Sequence, residues 1–187
     1  LILNLGLKEN YKFKNFSVGA TCGRFAGRIS NSKFFIGKKK FPLSKNEGNN
    51  TLHGGKRGFS IIPWEKIKQT KDQVIYQIKS KELAQGFTGN LLVTCTYKLK
   101  DNFLLIKYEY QSDNFTHVNL TNHSYWNLSK IKKNKIFDHD LRINSKKYLE
   151  INNSLIPTGR FKNVKKNIYD FTNFENLKEK LNFFMKY

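Results

Sequence analysis

Hydrophobic and polar positions alternate with a period of two along much of the chain. Over Leu91–Leu99 the odd positions are Leu91, Val93, Cys95, Tyr97 and Leu99, and the even ones include Thr94, Thr96 and Lys98. Successive side chains of a strand point to opposite faces, so this alternation predicts a half-buried strand. Its β-branched and aromatic content suits one. Lys100-Asp101-Asn102 predicts a turn, after which Leu104, Ile106, Tyr108 and Tyr110 line one face of a return strand. Gln73–Lys79 alternates through Val74, Tyr76 and Ile78, and Thr116–Thr121 through Val118 and Leu120. The opening Leu1–Gly6 also reads as a strand. Only Leu177, Leu181 and Phe184, at i, i+4 and i+7, form a helix-like stripe. Short strands spaced roughly ten to fifteen residues apart, with turn signals between them, predict an all-β fold: an antiparallel sandwich or barrel.

Composition narrows the function classes. A chain of 187 residues can bury one sizeable core, and no repeat or Ser/Pro/Gly-rich linker divides it. Lys and Arg number 34 against 14 Asp and Glu, a formal net charge of +20. With 16 Phe and 9 Tyr it is too aromatic for a disordered polycation. The five arginines are Arg24, Arg28, Arg57, Arg142 and Arg160. All other cations are lysines scattered along the chain, which suits a solvated basic surface better than a guanidinium-lined groove. No specific nucleic-acid partner is expected. No apolar run approaches the roughly 18 residues of a membrane-spanning helix, so no membrane partner is expected either. Cys22 and Cys95 match neither CxxC nor zinc-finger spacing, which points to a reducing compartment, the cytoplasm.

Three stretches carry the candidate chemistry. In Gly19–Ile29, small residues surround Arg24 and Arg28. As a strand, this spacing puts both arginines on one face. A solvated edge and a guanidinium presented to a polyhydroxylated or anionic ligand both fit. Gly48–Gly58 sets His53 between turn-forming Asn residues and a Gly pair. Gly54-Gly55-Lys56 lacks the spacing of a phosphate-binding loop. Asn119–Leu128 crowds Asn, Thr, His123 and Ser124 against Tyr125 and Trp126. Hydroxyl-binding groups beside an aromatic wall are what a sugar site needs, and imidazole can give or take a proton near neutrality. Ser124 adjoins His123 and, in a strand, points the other way, so the two make no nucleophile–base pair. His117 and His123 lack a third ligand at sensible spacing, so no metal site is expected. His139, between Asp138 and Asp140, reads as structural.

Together these stretches resemble the aldose 1-epimerase (galactose mutarotase) family. Gly23-Arg24-Phe25-Ala26-Gly27-Arg28-Ile29 is similar to its G-R-x-A-N-R-I. Asn46–Gly55 resembles N-x-G-x-N-x-L-H-G-G, and Asn119–Leu128 resembles N-L-T-N-H-S-Y-F-N-L. Gly86–Leu91, Ile156–Gly159 and Tyr169-Asp170-Phe171 resemble further motifs of the family in the right order. The resemblance implies a large antiparallel β-sandwich and an enzyme that interconverts the α and β anomers of hexoses such as galactose and glucose. It implies acid/base ring opening and closure on a small-molecule aldose, with no metal or organic cofactor. A sugar- or sugar-phosphate-binding protein of the same type without mutarotase activity is the alternative.

Carried over residue by residue, His123 matches the family's general acid. Arg28 and His53 match residues that hold the sugar's hydroxyls and ring oxygen, and Tyr125 lies in the sugar-contacting motif. Gly27 stands where the family has Asn, which removes one amide from the sugar's surroundings. Trp126 replaces a Phe and keeps an aromatic wall. The family's first strands, its sugar-binding Asp and its catalytic Glu find no match between residues 1 and 187. Residues 1–187 are therefore expected to form a partial aldose 1-epimerase domain.

Overall fold

The computed structural model of the chain describes residues 2, 3, 6, 17–129 and 135–184. The chain forms two compact units, one of residues 4–124 and one of residues 1–3 with 125–187. The predicted opening strand lies largely outside the described residues.

Among its described residues the first unit contains ten strands: β1 Thr21–Cys22, β2 Arg28–Ile29, β3 Lys33–Ile36, β4 Lys39–Pro42, β5 Thr51–Leu52, β6 Glu65–Gln69, β7 Gln73–Ser80, β8 Leu91–Lys100, β9 Phe103–Ser112 and β10 Thr121–Asn122. Strands β6-β7-β8-β9 form a four-stranded antiparallel sheet. Pairs β1-β10, β2-β5 and β3-β4 are short antiparallel ribbons beside it. The predicted alternation holds over the first half of β8, where Leu91, Val93 and Cys95 are buried. Leu91 and Val93 pack with Phe59 and Ile78, and Ile62, Trp64, Val118 and Leu120 close over them. That cover ends with the first half of β8. Tyr97 is half-buried, and Leu99, Leu104 and Tyr110, predicted for an apolar face, are exposed. A second cluster, Phe34, Leu43 and Phe87, lies under Phe25, Ile29, Ile36 and Phe41.

Two sequence expectations fail here for a common reason. Thr116–Thr121 is not a strand; only Thr121 and Asn122 enter a ladder. Asn119 instead meets the irregular, Gly-rich segment at 23–27. Its N–H donates to the Arg24 carbonyl at 3.0 Å, its carbonyl accepts from Ala26 N–H at 2.7 Å, and its side-chain amide donates to the Ala26 carbonyl at 3.0 Å. With those groups used at an isolated bridge, no ladder propagates. Nor do Arg24 and Arg28 share the face of one strand, because the chain breaks between β1 and β2. Arg24 is 2% exposed. Its guanidinium donates to the carbonyls of Thr88 (2.7 Å), Gly89 (2.9 Å), Ser80 and Lys81 (both 3.2 Å), and to Ser80 Oγ at 2.7 Å. The two terminal nitrogens are satisfied in this way, as a buried cation requires, while the buried Nε has no hydrogen-bond partner among the described residues. Burial still lowers its pKa to about 10, with Asp113 acting the other way. Arg24 ties the 80–89 connection to β1 and is unavailable to a ligand.

The second unit comprises β11 Asp140–Leu141, β12 Lys147–Ile151, β13 Pro157–Asn163, β14 Glu175–Asn176 and the helix α1, Leu177–Phe184. Strand β11 pairs with β14, and β12 pairs with β13 through a bulge between Leu149 and Ile151. Of the predicted helical stripe, Leu177 and Leu181 are half-buried, while Lys178, Glu179 and Asn182 are exposed; the Phe184 side chain lies outside the described residues. Ordered secondary structure is thus overwhelmingly antiparallel strand, as the period of two predicts. Among the described residues no helix is long and apolar enough to cross a membrane.

Candidate active site

The β2-β5 ribbon sets Arg28 opposite Leu52, and His53 leaves the end of β5. His53 adopts φ 51 and donates its N–H to the Gly27 carbonyl at 3.0 Å. The loop then lies directly on the 23–24 backbone, because a Cβ on Gly54 would run into the Gly23 carbonyl. Only glycine permits that approach, at φ 89. The Gly pair noted in the sequence is thus a packing requirement that holds His53 against Gly27.

Gly27 returns a second bond, its N–H donating to His53 Nδ1 at 3.1 Å. A ring nitrogen that accepts carries no proton, so the proton of neutral His53 sits on Nε2 and is available as a donor. The His53 pKa is lowered: burial acts most, the neighbouring His123 and Arg28 charges add to it, and Glu47 acts the other way.

His123 is placed by the β1-β10 ribbon, which pairs Thr21 with Asn122 and Cys22 with Thr121. Just past it, His123 N–H donates to the Ala20 carbonyl at 2.9 Å and its carbonyl accepts from Gly19 N–H at 3.1 Å. The rings of His53 and His123 meet edge to face, centroids 5.4 Å apart and planes at 89°. Residues far apart in sequence form one half-buried pair.

Arg28 carries a partner not anticipated from the sequence. Its Nε donates to Glu47 Oε2 at 2.6 Å, and a terminal nitrogen donates to Oε1 at 2.7 Å. This bidentate bond holds the Glu47 carboxyl below its usual range. A tight turn presents Glu47: its carbonyl accepts from Asn50 N–H at 2.9 Å, and its N–H donates to the Asn50 carbonyl at 3.2 Å. The available signal was its position inside the Asn46–Gly55 motif, as the one carboxylate there.

This group can donate hydrogen bonds from Arg28 and from His53 Nε2, and it can exchange a proton at an imidazole. None of Arg28, Glu47, His53 and His123 lines the apolar cavity of about 280 Å³ formed by Ala20, Thr21, Phe59, Trp64, Cys95 and Tyr97. Among the described residues no three His, Cys, Asp or Glu side chains are grouped as metal ligands.

The sequence model of the family described as aldose 1-epimerase matches residues 2–186. The chain belongs to the aldose 1-epimerase family. It is 36% identical over 170 residues to galactose mutarotase of Mus musculus, a match covering 91% of this chain and 49% of that protein. It is 37% identical over 170 residues to aldose 1-epimerase of Haemophilus influenzae, covering 89% of this chain and 50% of that one. The crystal structure of a GalM/aldose epimerase homologue from C. elegans superposes with a TM-score of 0.90 at 29% identity, covering 96% of this chain and 55% of that chain. The chain spans about half the length of the curated relatives it matches.

Within the aldose 1-epimerase framework, each of the three motifs delivers part of the site. The first supplies Arg28, the second His53 and Glu47, and the third His123, all within the first unit. Tyr125 belongs to the second unit, where its carbonyl accepts Leu3 N–H at 2.9 Å and its side chain is exposed. His117 packs against Phe34 at a tilt of 54°, with ring centroids 4.9 Å apart. His139 Nε2 accepts from Leu128 N–H at 2.9 Å. The bond of His139 fits the structural reading given to it in the sequence.

Proposed function

We propose that the protein carrying this chain is an aldose 1-epimerase that interconverts the α and β anomers of hexoses such as galactose and glucose. The observation that supports this most is the edge-to-face pair of His53 and His123 beside Arg28. Burial, more than the neighbouring charges, disfavours protonation of His53. His53 then serves as an Nε2–H donor to a sugar oxygen, and His123 as the ring that carries the transferable proton.

In the reaction, His123 protonates the ring oxygen while a base removes the proton of the anomeric hydroxyl. The C1–O5 bond breaks and an open-chain aldehyde forms. Rotation about C1–C2 presents the other carbonyl face, and the reverse transfers close the ring with the opposite configuration. Each positioned acid or base typically contributes 10²–10⁴-fold. Arg28 and His53 hold the sugar's oxygens. Glu47 makes a poor base, since its carboxylate is committed to Arg28 and its proton affinity is lowered. On the family resemblance, the base is assigned to a glutamate of the whole protein that finds no match between residues 1 and 187.

Polarimetry on freshly dissolved α-D-galactose tests the proposal. Acceleration over buffer supports it. Sugar binding without acceleration would replace it with a binding role, and neither binding nor acceleration would overturn it.

A further inference from the structure

The Arg28–Glu47 pair bears on which sugars the site accepts. Both side chains are half-buried, at 23% and 36% exposure, so their charges act on a ligand beside them without full screening by water. Glu47 takes the Nε edge of the guanidinium in the two-point geometry a ligand carboxylate or phosphate would seek. Arg28 keeps one terminal nitrogen, and one hydrogen of the other, for hydroxyl oxygens. Within the pair, the charges of Arg28 and Glu47 cancel. The carboxylate is also held from its own backbone, by the turn that bonds Glu47 to Asn50 in both directions. An anionic ligand would have to displace it or lie against it.

We propose that Glu47 sets the charge preference of this site, so that it takes neutral aldoses and rejects anionic ones such as uronates and sugar phosphates. The inference rests on the aldose reading of the Arg28–His53–His123 group. Glu47 acts here as a specificity determinant through Arg28. A carboxylate bound to guanidinium stays ionised at neutral pH, so the preference operates under ordinary conditions.

The test compares D-galactose, D-galacturonate and D-galactose 6-phosphate as ligands of the whole protein. Affinities are measured by calorimetry at low salt and at about 1 M NaCl, for the native sequence, Glu47→Gln and Glu47→Asp. The native protein should bind galactose at least tenfold more tightly than either anion at low salt, and the gap should shrink at high salt. Glu47→Gln, which keeps the side chain's length and one acceptor but removes the charge, should narrow the ratio by on the order of tenfold. Glu47→Asp, which keeps the charge, should retain most of the preference. An unchanged ratio in Glu47→Gln overturns the inference while leaving the aldose reading intact. If Glu47→Gln fails to fold, a native preference insensitive to salt overturns it instead. Failure of the native protein to bind galactose at all overturns the aldose reading itself, and the inference with it.

Discussion

His53 Nδ1 accepts the backbone N–H of Gly27 at 3.1 Å, and this bond decides where the imidazole keeps its proton. Protonating His53 would replace the acceptor by a second donor facing an N–H. Burial and the charges of His123 and Arg28 oppose that step too, and outweigh Glu47, which favours it. The His53 pKa is therefore below its unfolded value near 6.5. Above about pH 6.5 the ring is neutral in both folded and unfolded chains and contributes no pH dependence. Below it the unfolded chain takes up a proton that the folded one resists, so stability falls as pH falls, until the folded pKa is passed. Nitrogen-detected NMR should show His53 as the Nε2–H tautomer, titrating below an unstructured histidine. His53→Gln should flatten the acid limb of the stability profile. A Nδ1–H tautomer would contradict the assignment.

Gly27 has φ 84, and a Cβ built there meets nothing within 4 Å. The penalty of a substitution is thus one of backbone conformation alone. Gly27→Ala should destabilise by about 1–2 kcal/mol. Gly27→Asn, the residue of the resembled motif, should cost less, because Asn tolerates the left-handed region better. Denaturant titration of the two variants checks the order. Equal losses would mean that the glycine is needed for something other than its φ.

Arg24 should be a stability residue and not a ligand residue. Arg24→Met removes a cation that satisfies carbonyls at 80, 81, 88 and 89. Stranding those acceptors should cost about 3–5 kcal/mol, within the range for breaking a buried polar network. Thermal unfolding measures it. A loss under about 1 kcal/mol would show that water or a shifted side chain replaces the guanidinium.

The contrast between the two arginines shows what the sequence could and could not disclose. Their spacing of four places both on one face of any uninterrupted strand, and nothing local reveals the break between Cys22 and Arg28. One arginine consequently turns into the core and the other toward His53. The alternation at Leu91–Cys95 was legible because cross-strand packing depends on the local period of two. The Thr116–Thr121 alternation looked alike, yet its partner is an irregular segment nearly a hundred residues away. Local pattern reports a residue's face and not its partner. The same limit hid Glu47, whose role is defined by Arg28 across the β2-β5 ribbon. His53, Arg28 and His123 were legible from motif resemblance, and their proximity emerged only from the fold.

His53→Ala should act on binding. Loss of the Nε2–H donor should weaken galactose affinity by roughly fivefold or more, the size of one hydrogen bond lost at a half-buried site. Titration calorimetry reads this directly. Unchanged affinity would reduce His53 to a loop residue that merely seats against Gly27.

The central claim is that His123 carries the proton to the ring oxygen. The most direct measurement is the mutarotation rate of α-D-galactose by polarimetry, for the whole protein and for His123→Asn, with circular dichroism verifying the fold. The account predicts a fall in kcat of at least about 10²-fold with the fold retained, the contribution of one positioned general acid. Near-native turnover in correctly folded His123→Asn would contradict it.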